Sequence, residues 1–360
     1  MKQSKKPGRL TLALLILLAL VLVLLLAGWF TYRHYIAKLN YQQRDAVSAV
    51  SSETPPPLVD ETASEEQRRQ AEEIENQLAE NLRDPGNADE SGAQVTNILL
   101  IGVDNDNLPG LDELGNADGL VILSINKTTR QVVMTSLMRD IYVSVPDQFN
   151  TKLTLSYHYG GVSMLIDTIE ANFGVPIDNY ALVNYIDVVN IVDAFGGVEI
   201  DLREDEIYAM EGKIANVNVL MGLDPSANAI SQSQAGPITL NGVQTAAYLR
   251  VRMAGHADYE RTERARRVLG QLVEKARGMS ASELNDMADV VLPCITTDLT
   301  EGQILSLLVN APQYMKYEMV SSRIPIEGSS YGADMNGYYL IVDYEVNREY
   351  LYNSIYNGVH

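Results

Sequence analysis

The chain has a single cysteine, Cys294, among 360 residues. It can form no intramolecular disulfide framework and no thiolate zinc cluster. Histidine is nearly as scarce: His34, His158, His256 and His360 are scattered, which argues against a histidine-rich metal site. Basic charge is short too, with 27 Lys and Arg against 47 Asp and Glu. Seven of those basic side chains and no acidic ones lie in residues 1–44, so residues 45–360 carry 20 basic against 47 acidic groups, a net of −27. A nucleic-acid footprint needs a basic surface to displace counterions, so no nucleic-acid partner is expected for the main body. Several catalytic signatures are missing as well. There is no Walker lysine loop, Gly160-Gly161 lacks the third glycine of a dinucleotide fingerprint, and Ser136, Ser156 and Ser163 have no G-x-S-x-G context. His158, between tyrosines in LSYHYGG, reads as a packed or half-exposed histidine rather than a ligand. Carboxylates, arginines and backbone remain to carry the chemistry. At 46% hydrophobic and 21% charged residues, the length leaves room for one large folded domain plus attachments.

The attachments come first. Leu10 to Phe30 is a run of 21 residues without a charge. As a helix it would be about 30 Å long, enough to cross the hydrocarbon core of a bilayer. Lys2, Lys5, Lys6 and Arg9 precede it, and Trp29, Phe30 and Tyr32 stand at its far end. Basic residues before the span favour an N-terminus inside and a main body outside. The run is too long for the core of a cleaved signal peptide, and bulky residues follow it where a cleavage site would need small ones. The expected organisation is therefore a basic tail over 1–9, a transmembrane anchor over 10–31, an acidic stalk over 32–92 and a main domain over 93–360. Within the stalk, Ser64-x-x-Gln67 reads as a capping box. Ala71, Ile74, Leu78 and Leu82 continue from it at helical spacing until Asp84-Pro85-Gly86. That segment reads as a solvated spacer helix, although its apolar stripe could instead pair with a second copy or lie on the main domain.

From about Val95 the texture changes. VTNILLIGVD is a short apolar run ending in Gly-x-Asp, the pattern of a strand buried on both faces. GLVILSI (119–125), QVVMTSL (131–137), VEIDL (198–202) and AAYLRVR (246–252) read as further strands. VSMLIDTIEANFG (162–174), YIDVVNIVDAFGG (185–197) and RTERARRVLGQLVEKARG (261–278) read as helices closed by glycine. Strands alternating with helices imply an α/β layered domain. Residues 205–237 break the rhythm and read as an excursion or lid-like loop.

Two carboxylates sit where strand texture meets loop: Asp104 ends the first strand and Asp118 immediately precedes the second. Ligands gather beyond strand ends in α/β sheets, so this pair could converge on a hard cation, and turn formation or helix capping is the alternative reading. Asp106 and Asp112 are nearby decoys. The arginines say more, because six of the 20 basic residues after position 44 fall within Arg250–Arg267. On a strand, Arg250 and Arg252 would share one face. Arg261 and Arg264 would share a helix face near an N-terminus, where cations oppose the dipole. Glu260 and Glu263 offer ordinary surface ion pairs for some of this cluster, Arg266 and Arg267 above all. For Arg250, Arg252 and Arg261, a di-anion such as pyrophosphate explains the clustering better, since the planar guanidinium fork suits phosphate oxygens. Arg139, in SLMRDIYV, would add a further prong.

The order NILLIGVD, NADGLVILSIN, SLMRDIYV, KLTLSYHYGG, VDAFGGVEID, LNGVQTAAYLRVR and DYERTERARR resembles the LytR–CpsA–Psr family over about residues 95–350. The resemblance implies a mixed central sheet with helices on both faces, preceded by one transmembrane helix. It implies a membrane-anchored extracytoplasmic phosphotransferase of a mostly Gram-positive family. Such an enzyme moves a teichoic acid, capsular or other wall glycopolymer from an undecaprenyl-pyrophosphate carrier to peptidoglycan through a phosphodiester. In these terms Asp104 and Asp118 would hold Mg²⁺ (or Mn²⁺), and Arg139, Arg250, Arg252, Arg261 and Arg264 would bind the pyrophosphate. Asp118, Arg139 and Arg252 would form the catalytic group, with Asp118 also a candidate base for the acceptor hydroxyl. The partners would be the lipid-linked glycan, peptidoglycan and the cytoplasmic membrane. Two positions depart from the family pattern: Asn116 stands where an arginine is usual, and Ala265 where a glutamine commonly follows the second helix arginine. A non-catalytic polyprenyl-phosphate-binding scaffold or envelope regulator, and a lipid pyrophosphatase, are the competing readings.

Overall fold

A computed structural model of the chain describes residues 37–38, 40–44, 55–83, 94–104, 115–251 and 257–360. The expected tail and anchor, residues 1–31, lie outside the described residues. Among the described residues no helix is long and apolar enough to cross a membrane.

In chain order the strands are β1 (Asn40–Tyr41), β2 (Val95–Asp104), β3 (Asn116–Asn126), β4 (Gln131–Leu137), β5 (Tyr142–Val145), β6 (Phe149–Lys152) and β7 (Asn179–Asn184), then β8 (Val198–Leu202), β9 (Gly236–Leu240), β10 (Thr296–Thr297), β11 (Glu318–Ile324), β12 (Ser330–Met335) and β13 (Gly337–Val342). The helices are α1 (Glu65–Arg83), α2 (Leu153–Phe173), α3 (Tyr185–Ala194), α4 (Glu204–Leu220), α5 (Gly242–Leu249), α6 (Ala257–Gly278), α7 (Ala281–Val291), α8 (Glu301–Tyr314) and α9 (Tyr344–Tyr352). Seven strands form the central sheet in the order β1-β10-β7-β2-β3-β4-β11. β2 runs parallel to β7 and antiparallel to β3, while β4 runs antiparallel to β3 and parallel to β11, so the sheet is mixed. β2 and β3 are near-continuous apolar runs because both of their faces are covered.

One face buries Leu99, Ile101, Leu120, Ile122 and Leu137 against α2, with Leu165, Ile166 and Ile169 facing back. The other face is covered by α3 and α6. Beside them a second apolar cluster joins α3, α4, α5 and the antiparallel β8–β9 pair through Val192, Ile200, Met210, Leu240 and Ala246. α2 is longer than expected because it starts at Leu153 and continues through a kink at Gly160 and Gly161. Gly161 takes φ 67° there, a conformation only glycine enters without strain.

Three expectations are corrected. AAYLRVR is not a strand. Its first four residues end helix α5, Arg250 is the helix C-cap and Val251 follows in irregular chain. Asn241 opens that helix by accepting from the Gln244 amide, and Gly242 lies so close to the Val189 carbonyl that no side chain would fit. Residues 205–237 are not a loose loop either, because Glu204–Leu220 is helical and Gly236–Leu240 pairs with β8. Third, α1 is not a solvated spacer. Its Ala71, Ile74 and Leu78 are buried with Leu58 against Tyr142, Tyr339 and Ile341, and β1 adds a parallel edge strand beside β10.

Candidate active site

The site forms where β2, β3 and β4 reach the same end of the sheet. The β2–β3 ladder pairs Gly102 with Gly119 and Val103 with Ala117, leaving Asp118 as the extra residue of a bulge. Bulges re-aim side chains, and this one exchanges the faces of β3. Leu120 and Ile122 on one side of it, and Ala117 on the other, all belong to the α2-side core. Asp118 consequently joins Gly119 and Val121 along the opposite face, where they line a cavity. Asp118 lies within β3 rather than just before it, and the bulge does the aiming.

That cavity, about 300 Å³, lies between the sheet floor and helices α3 and α6. Leu100, Val121 and Ala181 form the floor, Val188 and Ile191 one wall and Ala265 and Leu269 the other, with Val291 and Ile295 also lining the space. The Gly102–Gly119 pair puts no side chain on the floor beside Asp118. Apolar along its length and carrying a carboxylate at its edge, the space has the chemistry of a site for an amphiphile with a polar head.

Arg139 follows β4 in a turn pinned by backbone hydrogen bonds: the Met138 amide donates to Ile324 O, the Thr154 amide to Arg139 O, and the Leu340 amide to Asp140 O. From there Arg139 Nη1 donates to Asp118 Oδ1 at 2.8 Å, and its Nε to Asp140 Oδ2 at 3.2 Å. Lys152 Nζ closes the group at 3.2 Å from Asp140 Oδ1. Asp104, at the end of β2, is 3.4 Å from Arg250 Nη2. Arg250 also donates to Asn216 Oδ1 at 2.6 Å and lies over the Tyr185 ring, 4.7 Å from its centroid. The structure thus brings Asp104, Asp118, Arg139 and Arg250 to the sheet end in two carboxylate–guanidinium pairs. Arg261 lies on α6 with its side chain outside the description, and Arg252 lies outside the described residues, as do Asp106 and Asp112.

Arg264 is a correction. It is not aimed at a ligand: its Nε is 3.2 Å from Glu206 Oε1, Nη2 is 2.7 Å from Glu260 Oε2, and Nη1 donates to Val251 O at 2.9 Å. Only 1% of Arg264 is exposed, so its charge is committed to the α4–α6 contact. Asn216, Tyr185, Asp140 and Lys152 are contributors that sequence reasoning missed. A signal existed for Asp140, next to Arg139 in the motif; Asn216 was hidden because its helix read as a loop. Both departures from the family pattern fall at the site. Asn116 is paired in register with Asp104, and Ala265 lines the cavity.

Around the cavity, burial pushes the Asp187 carboxyl above its ordinary range, opposed by the hydrogen bond it accepts from the Asn184 amide. Burial and then the nearby Asp187 also raise the Cys294 thiol. Tyr248 is raised by burial and then by Glu206. His158, half-buried with Nδ1 3.3 Å from Gly115 O and edge-on to Tyr159, is the packed histidine its context suggested.

Asp104 and Asp118 offer only carboxylate oxygens, the donors that Mg²⁺ or Mn²⁺ takes. Among the described residues no group of three or more His, Cys, Asp and Glu gathers. A two-carboxylate set fits Mg²⁺, which keeps waters and takes substrate phosphate oxygens for its remaining positions.

A model of the LytR_cpsA_psr family matches residues 59–354. The chain belongs to the LytR–CpsA–Psr family. A relative from Oceanobacillus iheyensis named polyisoprenyl-teichoic acid–peptidoglycan teichoic acid transferase TagU is 29% identical over 264 residues, 71% of this chain and 73% of its own length. The Bacillus subtilis protein of the same name is 26% identical over 303 residues, 83% and 82% of the two chains. Among solved structures, Bacillus subtilis TagT matches with a TM-score of 0.54 and 21% identity, over 75% of this chain and 94% of its own. A LytR–CpsA–Psr protein, TagT with bound octaprenyl pyrophosphate lipid, matches with a TM-score of 0.52 and 20% identity, over 75% and 93%. These likenesses share the mixed α/β fold described above.

Proposed function

We propose that the protein is a membrane-anchored phosphotransferase that moves a glycopolymer from a polyprenyl-pyrophosphate carrier, undecaprenyl in the resembling family, to peptidoglycan. The observation that carries this reading is the junction of an apolar cavity with the Asp118–Arg139 pair. A long isoprenoid needs the first, and its pyrophosphate needs the second. The names of the relatives supply the acceptor and the polymer class, teichoic acid.

Arg139 and Arg250 would bind the pyrophosphate oxygens and spread the charge that builds on them, a stabilisation worth most in a site with little water. Rotation of either guanidinium from its carboxylate to a phosphate keeps it charge-paired. The acceptor sugar hydroxyl attacks the glycan-bearing phosphorus. An O–P bond forms as the bridging P–O bond breaks, and polyprenyl monophosphate leaves. Asp118 would take the hydroxyl proton. Mg²⁺ held by Asp104 and Asp118 would supply further neutralisation of the pyrophosphate charge. The Leu10–Phe30 run would span the membrane with the N-terminus inside and the catalytic domain outside, where peptidoglycan lies.

The test is a transfer assay with the purified full chain, a synthetic polyprenyl-pyrophosphate-linked glycan and peptidoglycan fragments. A phosphodiester-linked product, released polyprenyl monophosphate, and loss of both in Asp118→Asn are expected. Free glycan phosphate without transfer would make the protein a lipid pyrophosphatase. Binding with no turnover would make it a scaffold, the reading to which Asn116, in place of a phosphate-facing arginine, gives most weight.

A further inference from the structure

Helix α8 has no buried residue although more than half of EGQILSLLVNAPQY is apolar. Ile304, Leu307 and Ala311 lean on the domain and are half-buried. Leu305, Leu308 and Val309 are 44%, 54% and 69% exposed, and Pro312 is exposed beside them. Those four positions follow the i, i+3, i+4, i+7 spacing of one helix face. Val290 near the end of α7 and Tyr41 on β1, the strand paired with β10, are also 45% and 51% exposed. Nothing in the chemistry assigned to the sheet end uses this patch.

Three observations bear on what covers it. The chain leaving the Leu10–Phe30 run re-enters the fold at β1, which pairs with β10 three residues before α8 begins. Ten residues, at most ~35 Å of chain, separate Phe30 from Asn40. That return is fastened by Lys38 to Asp289 on α7 at 2.9 Å and by Asn40 to Thr296 at 2.9 Å. Second, the cavity is lined by Val291 and Ile295, which adjoin the exposed Val290 and the strand β10 along the chain. Third, a few exposed side chains fall short of the roughly 800 Å² per partner that a stable protein interface buries. A bilayer surface needs no such area, because a shallow apolar helix face beside an existing tether suffices.

We propose that the outer face of α8, flanked by Val290 and Tyr41, rests in the lipid headgroup layer, so that the cavity opens at its apolar end toward the acyl chains. This rests on reading residues 10–31 as a membrane span. It gives the polyprenyl tail a route from bilayer to cavity that avoids water, with its pyrophosphate held at the opposite, sheet-end mouth.

The test uses the full chain in phosphatidylcholine–phosphatidylglycerol vesicles, with the buried Cys294 replaced by serine and a single cysteine introduced for an environment-sensitive fluorophore. One label goes to Leu308→Cys on α8 and one to Tyr331→Cys, an exposed position on β12. A blue shift and loss of emission to a headgroup-depth quencher lipid at position 308, with neither at 331, is the expected result. Equal emission at both sites in a chain that floats with the vesicles after an alkaline wash overturns the docking face and leaves the span reading standing. Disulfide cross-linking between two copies at position 308 without lipid quenching overturns it in favour of self-association. A chain that does not float overturns the span reading and the docking face with it.

Discussion

Arg139 and Arg264 are both arginines paired to carboxylates, and both were read as phosphate ligands, yet they occupy opposite kinds of place. Arg264 is sealed between α4 and α6, with its side chain and that of Glu206 each 2% exposed. Arg139 is 16% exposed at a cavity edge, although its partner Asp118 is only 4% exposed, and it lies on a turn fixed by backbone hydrogen bonds from three segments. Arg250 and Asp104 are likewise open, at 11% and 24%. A buried pair cannot exchange its partner for a ligand without stranding a charge, whereas a pair at a mouth can. Residue type and spacing therefore do not assign a role; the solvent path to the guanidinium does.

The largest effect that would break this contrast is at Arg264. Arg264→Ala takes the buried guanidinium from Glu206, leaving it the Arg203 amide at 3.2 Å and guanidinium at 3.7 Å, and unfolding should lose about 3 kcal/mol, measured by chemical denaturation. A change within ~1 kcal/mol would mean that Arg264 is not a structural group. Asp118→Asn should lower transfer about a hundredfold, near 2.7 kcal/mol in barrier, with the denaturation midpoint little changed. A parallel collapse of stability would put Asp118 in the same class as Glu206. Ala265→Phe, which fills the cavity wall, should weaken polyprenyl-pyrophosphate binding about tenfold, near 1.4 kcal/mol. It should leave the affinity for short pyrophosphates unchanged, which separates tail from head.

The smallest effect concerns Asp187. Its carboxyl is raised in the fold, so the fold binds that proton more tightly than the unfolded chain does. Its contribution to stability is present below the unfolded carboxylate pKa and is lost as pH rises through the raised one. Asp187→Asn keeps an oxygen for the Asn184 amide and removes that dependence. The slope of melting temperature against pH across the carboxylate range should flatten, and an unchanged slope would contradict the assignment.

The strands of the central sheet were legible because both faces are covered, which writes continuous apolar runs such as QVVMTSL with ends matching β4. The helices closing at Gly174 and Gly278 were legible through their periodicity and their stops. Short apolar runs carry no such certainty, and AAYLRVR failed for that reason. The deciding cue was upstream, in the Asn241–Gln244 capping box that starts α5. Where an amphipathic face docks is not written in the face itself. The stripe of α1 was seen, but its partners Tyr142 and Tyr339 lie far along the chain. For the candidate site, residue type and motif single out Asp104, Asp118, Arg139 and Arg250, which the fold gathers at one end of the sheet. The bulge at Asp118 was not legible, because one unpaired residue leaves no mark in composition.

The apolar cavity and the Asp118–Arg139 pair would form one site for a polyprenyl pyrophosphate. Its most direct test is calorimetric titration of octaprenyl pyrophosphate into the detergent-solubilised full chain, alongside Arg139→Ala and Ala265→Phe. Saturable binding with a negative heat-capacity change, weakened by each variant through a different end of the ligand, is the expected result. Binding that neither variant alters would place the lipid elsewhere on the protein and contradict the account.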